Sequence, residues 1–135
     1  MHTPDLATIG ALVDTFIEKN RDELANIDAV VGMSRGGLIP AALIATKIDR
    51  VLVAAYIDRQ DNVYFDKPDW IAGKRVLFVD DICRSGQTIS LITALLGTHK
   101  PDSIKTCTLY CLPHSTFKPD YTNHVAEDVS FPWDR

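Results

Sequence analysis

The chain has 135 residues, room for one domain with a real core and not for a second. With 46% hydrophobic and 24% charged residues it has a globular composition rather than a disordered or fibrous one. A net charge of −4 argues against a nucleic-acid binder, which needs a concentrated basic face, yet leaves a small anionic ligand open.

No apolar run approaches the roughly 20 residues that span a bilayer, so no membrane association is expected. The start, MHTPDLATIG, has neither a basic leader nor an apolar stretch, so no signal peptide is expected. The cysteines are three in number: Cys83, Cys107 and Cys111. The C-x3-C pair lies in a strand-like run, where both thiols are expected on one face as small buried apolar groups. A zinc site lacks a second ligand pair, and a reducing cytoplasm fits.

In chain order, Thr3-Pro4-Asp5 reads as a helix start with Thr3 as N-cap, and Leu6, Ile9, Val13, Phe16 and Ile17 follow at helical spacing. Ala29–Met33 is a short apolar strand that ends at Ser34-Arg35-Gly36-Gly37, with a helix over Leu38–Lys47 after it. Val51–Ile57 reads as a second strand, and the polar stretch Arg59–Trp70 as a loop or mobile hairpin. Lys74–Val79 reads as a third strand, Thr88–Leu96 as a helix and Ile104–Leu112 as a fourth strand. The chain after Pro113 looks irregular until Val125. Strands alternating with helices predict an α/β fold, one domain over 1–135 with a mostly parallel sheet covered on both faces. Ligands in such folds collect beyond the carboxyl ends of the strands, where Ser34–Gly37 and Asp80–Thr88 both fall.

The segment Val76–Thr88 (VLFVDDICRSGQT) joins an apolar strand, two carboxylates and a small polar turn that opens a helix. Free N–H groups at a helix start, with the hydroxyls of Ser85 and Thr88, suit a phosphate monoester, and Gly86 lets the backbone approach it. Asp80 and Asp81 suit the vicinal hydroxyls of a ribose or a hard cation such as Mg2+. The plain structural reading is a solvated strand end and an ordinary turn. An ATPase would need a G-x4-G-K-[ST] loop, which is missing. An aspartyl phosphatase would need D-x-D, whereas adjacent acids are expected on opposite sides of an extended chain.

Val79–Thr88 resembles the signature by which type I phosphoribosyltransferases bind phosphoribosyl pyrophosphate (PRPP). Val31–Ala41, with its Ser-Arg-Gly-Gly stretch, resembles the pyrophosphate loop of the xanthine/guanine/hypoxanthine branch, which often carries a non-proline cis peptide. The ending Pro119-Asp120-Tyr121 … Phe131-Pro132-Trp133-Asp134 is similar to that branch as well. The resemblance implies a Mg2+-dependent transferase of the purine-salvage kind. It would move the phosphoribosyl group of PRPP to a nitrogenous base, release pyrophosphate and self-associate. It implies catalytic roles for Asp80 and Asp81, with Asp81 on the metal. PRPP would be held by Ser34, Arg35, Gly36, Gly37, Asp80, Asp81, Arg84, Ser85, Gly86, Gln87 and Thr88, and the base by Arg84, Leu112, Val129 and Trp133.

Three positions depart from the branch. Arg84 stands where an aspartate near the purine N7 is usual, and it cannot act as a base. Leu112 stands where a lysine reads the exocyclic oxygen, and neither Asp128 nor Val129 is the aromatic expected to stack on the base. These changes leave open a different acceptor, for which Arg84 suggests an acidic group, or a binding module that keeps PRPP without transferring it. A generic α/β domain with an unrelated phosphate ligand is the third alternative.

Overall fold

The computed structural model describes residues 1–134. Helix α1 runs over Leu6–Lys19, a single turn α2 over Arg21–Leu24, and strand β1 over Ala29–Met33. Helix α3 (Leu38–Ile48), strands β2 (Val51–Ile57) and β3 (Val63–Phe65), and a 3-10 turn at Pro68–Trp70 follow. Strand β4 (Arg75–Cys83), helix α4 (Gln87–Thr98) and strand β5 (Ser103–Cys111) complete the order.

The sheet order is β3-β2-β1-β4-β5, parallel except for β3, which pairs antiparallel with β2. All five residues of β1 are buried, as a central strand covered on both faces requires. On one face α1 and α3 bring Ile9, Val13, Ile44 and Ala45 onto Val30, Leu77 and Val79. On the other, α4 brings Ile89, Ile92 and Leu96 onto Val31, Val76 and Phe78. The α/β expectation holds, with helices on both faces.

Several boundaries differ from the sequence reading. The N-cap of α1 is Asp5, not Thr3. The Asp5 carboxylate accepts from the Thr8 N–H and hydroxyl, both at 2.8 Å, and Pro4 lies before the cap. The polar stretch 59–70 is in part an edge hairpin. Its turn closes on Asp58, whose carboxylate accepts from the N–H groups of Gln60 and Asn62. β4 runs on through both acids to Cys83 rather than ending at Val79. The segment after Pro113 bridges back to β5 at Tyr121 and His124.

Face alternation slips by one residue inside β4 and β5. Leu77 and Val79 share a face with Ile82, although regular alternation over the three positions from Val79 would set Ile82 opposite; Phe78 shares the other face with Cys83. In β5 the same slip falls between Leu109 and Tyr110. Both strands slip at one level, so pairing continues through Asp80↔Thr108, Ile82↔Tyr110 and Cys83↔Cys111. The expectation that Cys107 and Cys111 share a face is therefore wrong: Cys107 packs toward α1 and α3, and Cys111 toward α4. All three thiols are buried and unbridged. Burial pushes Cys107 up to about 12, so it is an inert core group.

At the entry ends of β1 and β4, Asp28 and Arg75 form a two-pronged ion pair. Arg75 Nε and Nη2 each donate to the carboxylate at 3.0 Å, and the Arg75 N–H adds a third bond at 2.8 Å. The Arg75 side chain, with its N–H second, holds the Asp28 carboxyl down at about 2. A depressed carboxyl contributes stability above its unfolded value of about 4 and loses it as pH falls toward the folded one. Asp28→Asn is therefore expected to lower the thermal midpoint at pH 7, with the gap to wild type closing between pH ~4 and ~2. A constant gap across that window would refute the assignment.

Candidate active site

Because β1 and β4 are parallel neighbours, the loops that follow them emerge side by side at the carboxyl edge of the sheet. The first, Ser34–Gly37, leads into α3, and its Ser34–Arg35 peptide bond is cis. Gly37 packs so closely on β4 that a Cβ there would lie 2.8 Å from both Asp80 Cα and the Val79 carbonyl. Gly36 faces the Asp81 carboxylate, and a Cβ would overlap it and sit 2.7 Å from the Trp133 indole nitrogen. Side chains at either position would push the two loops apart. The glycines are therefore matched to the acids.

The second loop is Arg84-Ser85-Gly86, with α4 beginning at Gln87. Gly86 has φ of 94°, a left-handed value that favours glycine, and a Cβ would lie 2.7 Å from the Phe117 nitrogen. Ser85 Oγ accepts from the Gln87 N–H at 3.3 Å. The first-turn N–H groups of α4 have no intrahelical acceptor and face the same opening as the exposed side chains of Ser85 and Thr88. Asp80, Asp81, Ser85, Gly86 and Thr88 line one cavity of about 280 Å3. The adjacent acids do not follow the regular alternation expected of them: the slip falls on them, both residues line the cavity, and the Asp81 carboxylate faces Gly36 and Trp133.

Asp80 Oδ1 accepts from the Asp81 N–H, and Asp81 Oδ1 from the Ile82 N–H, each at 2.8 Å. Burial pushes the Asp80 carboxyl well above the usual range, the charge of Asp81 adds to this, and Arg84 works against it. Such a pair is short of positive charge and hydrogen-bond donors. Two vicinal hydroxyls supply donors; a divalent cation supplies charge. Among the described residues no three His, Cys, Asp or Glu side chains cluster to hold an ion alone. Mg2+ suits the donor set, since it takes one or two carboxylates and completes its shell with water and substrate phosphate.

The base-side residues stand as follows. Arg84 Nε donates to Asp128 Oδ1 at 2.9 Å and Nη2 to the Val129 carbonyl at 3.3 Å. The Val129 N–H and Arg84 hold the Asp128 carboxyl below its usual range. The guanidinium is thus already paired, which removes the free charge on which an acidic acceptor was to rest. Leu112 and Val129 are buried in the core, and Val129 bridges to His2. Trp133 is half-buried, stacks on Phe131 with centroids 4.8 Å apart, and donates from Nε1 to Asp81 Oδ2 at 2.9 Å. Arg35 donates to the Trp133 carbonyl at 3.4 Å.

Sequence reasoning missed the segment that backs the turn Arg84-Ser85-Gly86. Thr116 donates to the Ser85 carbonyl from both its N–H and hydroxyl at 3.0 Å, and Ser115 Oγ lies 3.0 Å from Cys83 Sγ. Serine and threonine in a polar stretch carry no signal of such long-range pairing. A separate crevice of about 240 Å3 lies between α1 and residues 120–123, over an apolar floor of Val79, Cys107 and Leu109, and no residue of Ser34–Gly37 or Arg84–Gly86 lines it.

The family model described as "phosphoribosyl transferase domain" matches residues 5–134. The xanthine-guanine phosphoribosyltransferase of Gluconobacter oxydans (strain 621H) is 35% identical over 118 residues, covering 78% of this chain and 67% of that protein. The purine phosphoribosyltransferase of Pyrococcus horikoshii Ot3 superposes with a TM-score of 0.86 at 24% identity, over 99% of this chain and 94% of that one. The Helicobacter pylori xanthine-guanine-hypoxanthine phosphoribosyltransferase gives 0.81 at 19% identity, over 98% and 92% of the two chains. At these identities the two structures share the fold.

Gly36→Ala is expected to weaken the binding of inorganic pyrophosphate about 10- to 100-fold, because a misplacement of an ångström is that costly in an oriented site. Gly10→Ala is the control: nothing lies within 4 Å of a Cβ there, so binding should hold and stability should rise. Equal affinity of the Gly36 variant and wild type in calorimetry would show that the loop is not an anion site.

Proposed function

The chain belongs to the phosphoribosyl transferase domain family, and on that footing we propose that it transfers the 5-phosphoribosyl group of PRPP to a purine base in purine salvage. The observation that carries the reading is the meeting of two anion-suited loops on adjacent parallel strands around one pair of carboxyls. A sugar carrying a phosphate at one end and a pyrophosphate at the other would set one anion at each loop.

In this assignment the turn Ser85–Thr88 holds the 5-phosphate, with Arg84 at its edge. Asp80 and Asp81 accept from the ribose hydroxyls, and Ser34–Gly37 hold the pyrophosphate, with Arg35 as its fixed cation. When bound, Mg2+ would be held by Asp81 and would neutralise charge on the departing pyrophosphate. The bond from C1 to pyrophosphate oxygen breaks as a ring nitrogen of the base bonds to C1, and the nitrogen's proton leaves to solvent. Catalysis rests on fixed geometry and on charge placed where the leaving group develops its own.

For the acceptor, Arg84 favours a 6-oxopurine. Its Asp128 and Val129 bonds fix the guanidinium plane and leave Nη1 unused. A guanidinium reads the O6/N7 edge of guanine by donating to both acceptors. It would then take over the hydrogen-bonding task of the missing lysine, though not proton transfer. Self-association belongs to the same reading: Tyr56 and Tyr64 pair across β2 and β3 and are both exposed. So does a cytoplasmic site of action; among the described residues no helix is long and apolar enough to cross a membrane.

Incubating the protein with PRPP, Mg2+ and guanine, xanthine or hypoxanthine is expected to release pyrophosphate and form the matching nucleoside monophosphate. Arg84→Lys should raise KM for the base about tenfold or more, since one ammonium cannot make the two-pronged contact. Tight PRPP binding with no release under any purine would overturn the transferase reading in favour of a PRPP-binding regulator.

A further inference from the structure

The Asp81 carboxylate is fixed from two sides. Its Oδ1 accepts from the Ile82 N–H at 2.8 Å and its Oδ2 from the Trp133 indole at 2.9 Å. One N–H on each oxygen sets the rotation of the group and leaves each oxygen a second lone pair. Trp133 is 52 residues away from Asp81 and reaches it from the tail of the chain, beyond the last strand.

The indole is itself held. It lies on Phe131 with planes 7° apart, and Phe131 is buried in the core. Arg35 of the first loop donates to the Trp133 carbonyl at 3.4 Å. Gly36 of the same loop closes the third side, where a Cβ would overlap the Asp81 carboxylate. The tail therefore touches both halves of the site at once, and its contact with the acid is a hydrogen bond from a donor-only group rather than packing alone.

We propose that Trp133 is a positioning residue for Asp81, and that the tail segment 131–134 thereby sets the affinity of the site for its sugar phosphate. The inference rests on the reading of the site as one for PRPP. It gives Trp133 a role on the ribose side, distinct from contact with the base. A carboxylate that must find its rotamer on binding loses affinity; one held in advance does not. The indole takes one lone pair of Oδ2, and the ligand's hydroxyls would donate to the remaining lone pairs.

Trp133→Phe keeps an aromatic ring on Phe131 and deletes the N–H. PRPP affinity measured by calorimetry is expected to fall about tenfold, the scale of a lost hydrogen bond to a charged group. The thermal midpoint should stay within a few degrees, roughly as for other changes that spare the core. With purine present, KM for PRPP should rise while KM for the base and kcat change little. A second measurement leaves the tail intact. Trp70→Phe makes Trp133 the sole tryptophan of the chain. Its emission should shift on titration with PRPP, saturating with the binding isotherm. Unchanged PRPP affinity in Trp133→Phe, a rise in the base KM alone, or an emission indifferent to saturating PRPP would each overturn the proposal while leaving the site reading intact. A wild-type chain that binds no PRPP would fail the site reading itself, and the proposal with it.

Discussion

The parallel pairing of β1 with β4 is the constraint on which the site depends. The two strands are not consecutive in the chain; 41 residues separate Met33 from Arg75. Their register, Ala29↔Val76 through Gly32↔Val79, sets where each strand runs out and hence where each loop begins. The bidentate Asp28–Arg75 contact ties the two strands at their entry ends, opposite the loops. Full burial of β1 favours its central place in the sheet, and that place makes two loops from distant parts of the chain into one rim.

On that rim the slip in β4 does the next piece of positioning. A regular strand would send the two carboxyls to opposite faces, one toward α3 and one toward α4. The slip falls at Asp80-Asp81, both of which line the cavity, and the matching slip in β5 keeps the ladder paired. Burial first, and the neighbouring charge of Asp81 second, push the Asp80 carboxyl up, which is the cost of placing two acids here. The glycines at 36 and 37 answer the same geometry from the facing loop, since any larger side chain there would meet an acid or its backbone. Acid pair and glycine pair form one packing unit.

Much of this was legible because it is local. Ala29–Met33 and Val51–Ile57 are apolar runs that read as buried strands, and the structure places both at those bounds. The turn at Arg84-Ser85-Gly86 was legible for the same reason: a small polar stretch with glycine between an apolar strand and a helical run marks a strand-to-helix turn. What escaped was set by tertiary pairing. The slip at Asp80-Asp81 leaves no mark in the residue pattern, so the two acids read as alternating and the thiols of Cys107 and Cys111 read as sharing a face. The N-cap was misassigned because Thr3 and Asp5 are both good caps, and the hydrogen bond to Thr8 decided it. Arg84 read as a free cation because Asp128, 44 residues on, carries no sign of being its partner.

The pairing of Arg84 with Asp128 bears on how a site can change its acceptor contacts and keep its donor contacts. In the proposed assignment the sugar phosphate would be held by backbone geometry: a positive-φ glycine, two close-packed glycines and a helix start, where a side chain would meet neighbouring atoms. The base would instead meet side chains on the tail and on the exposed part of the second loop, where one ion pair can replace another set of polar groups without moving the strands. Trp133 lies where the two meet, since it belongs to the segment beyond the last strand, as Asp128 does, yet donates to a carboxylate of β4. In the proposed role one tail serves both sides: at Asp128 it fixes Arg84, and at Trp133 it holds Asp81 where the sugar needs it.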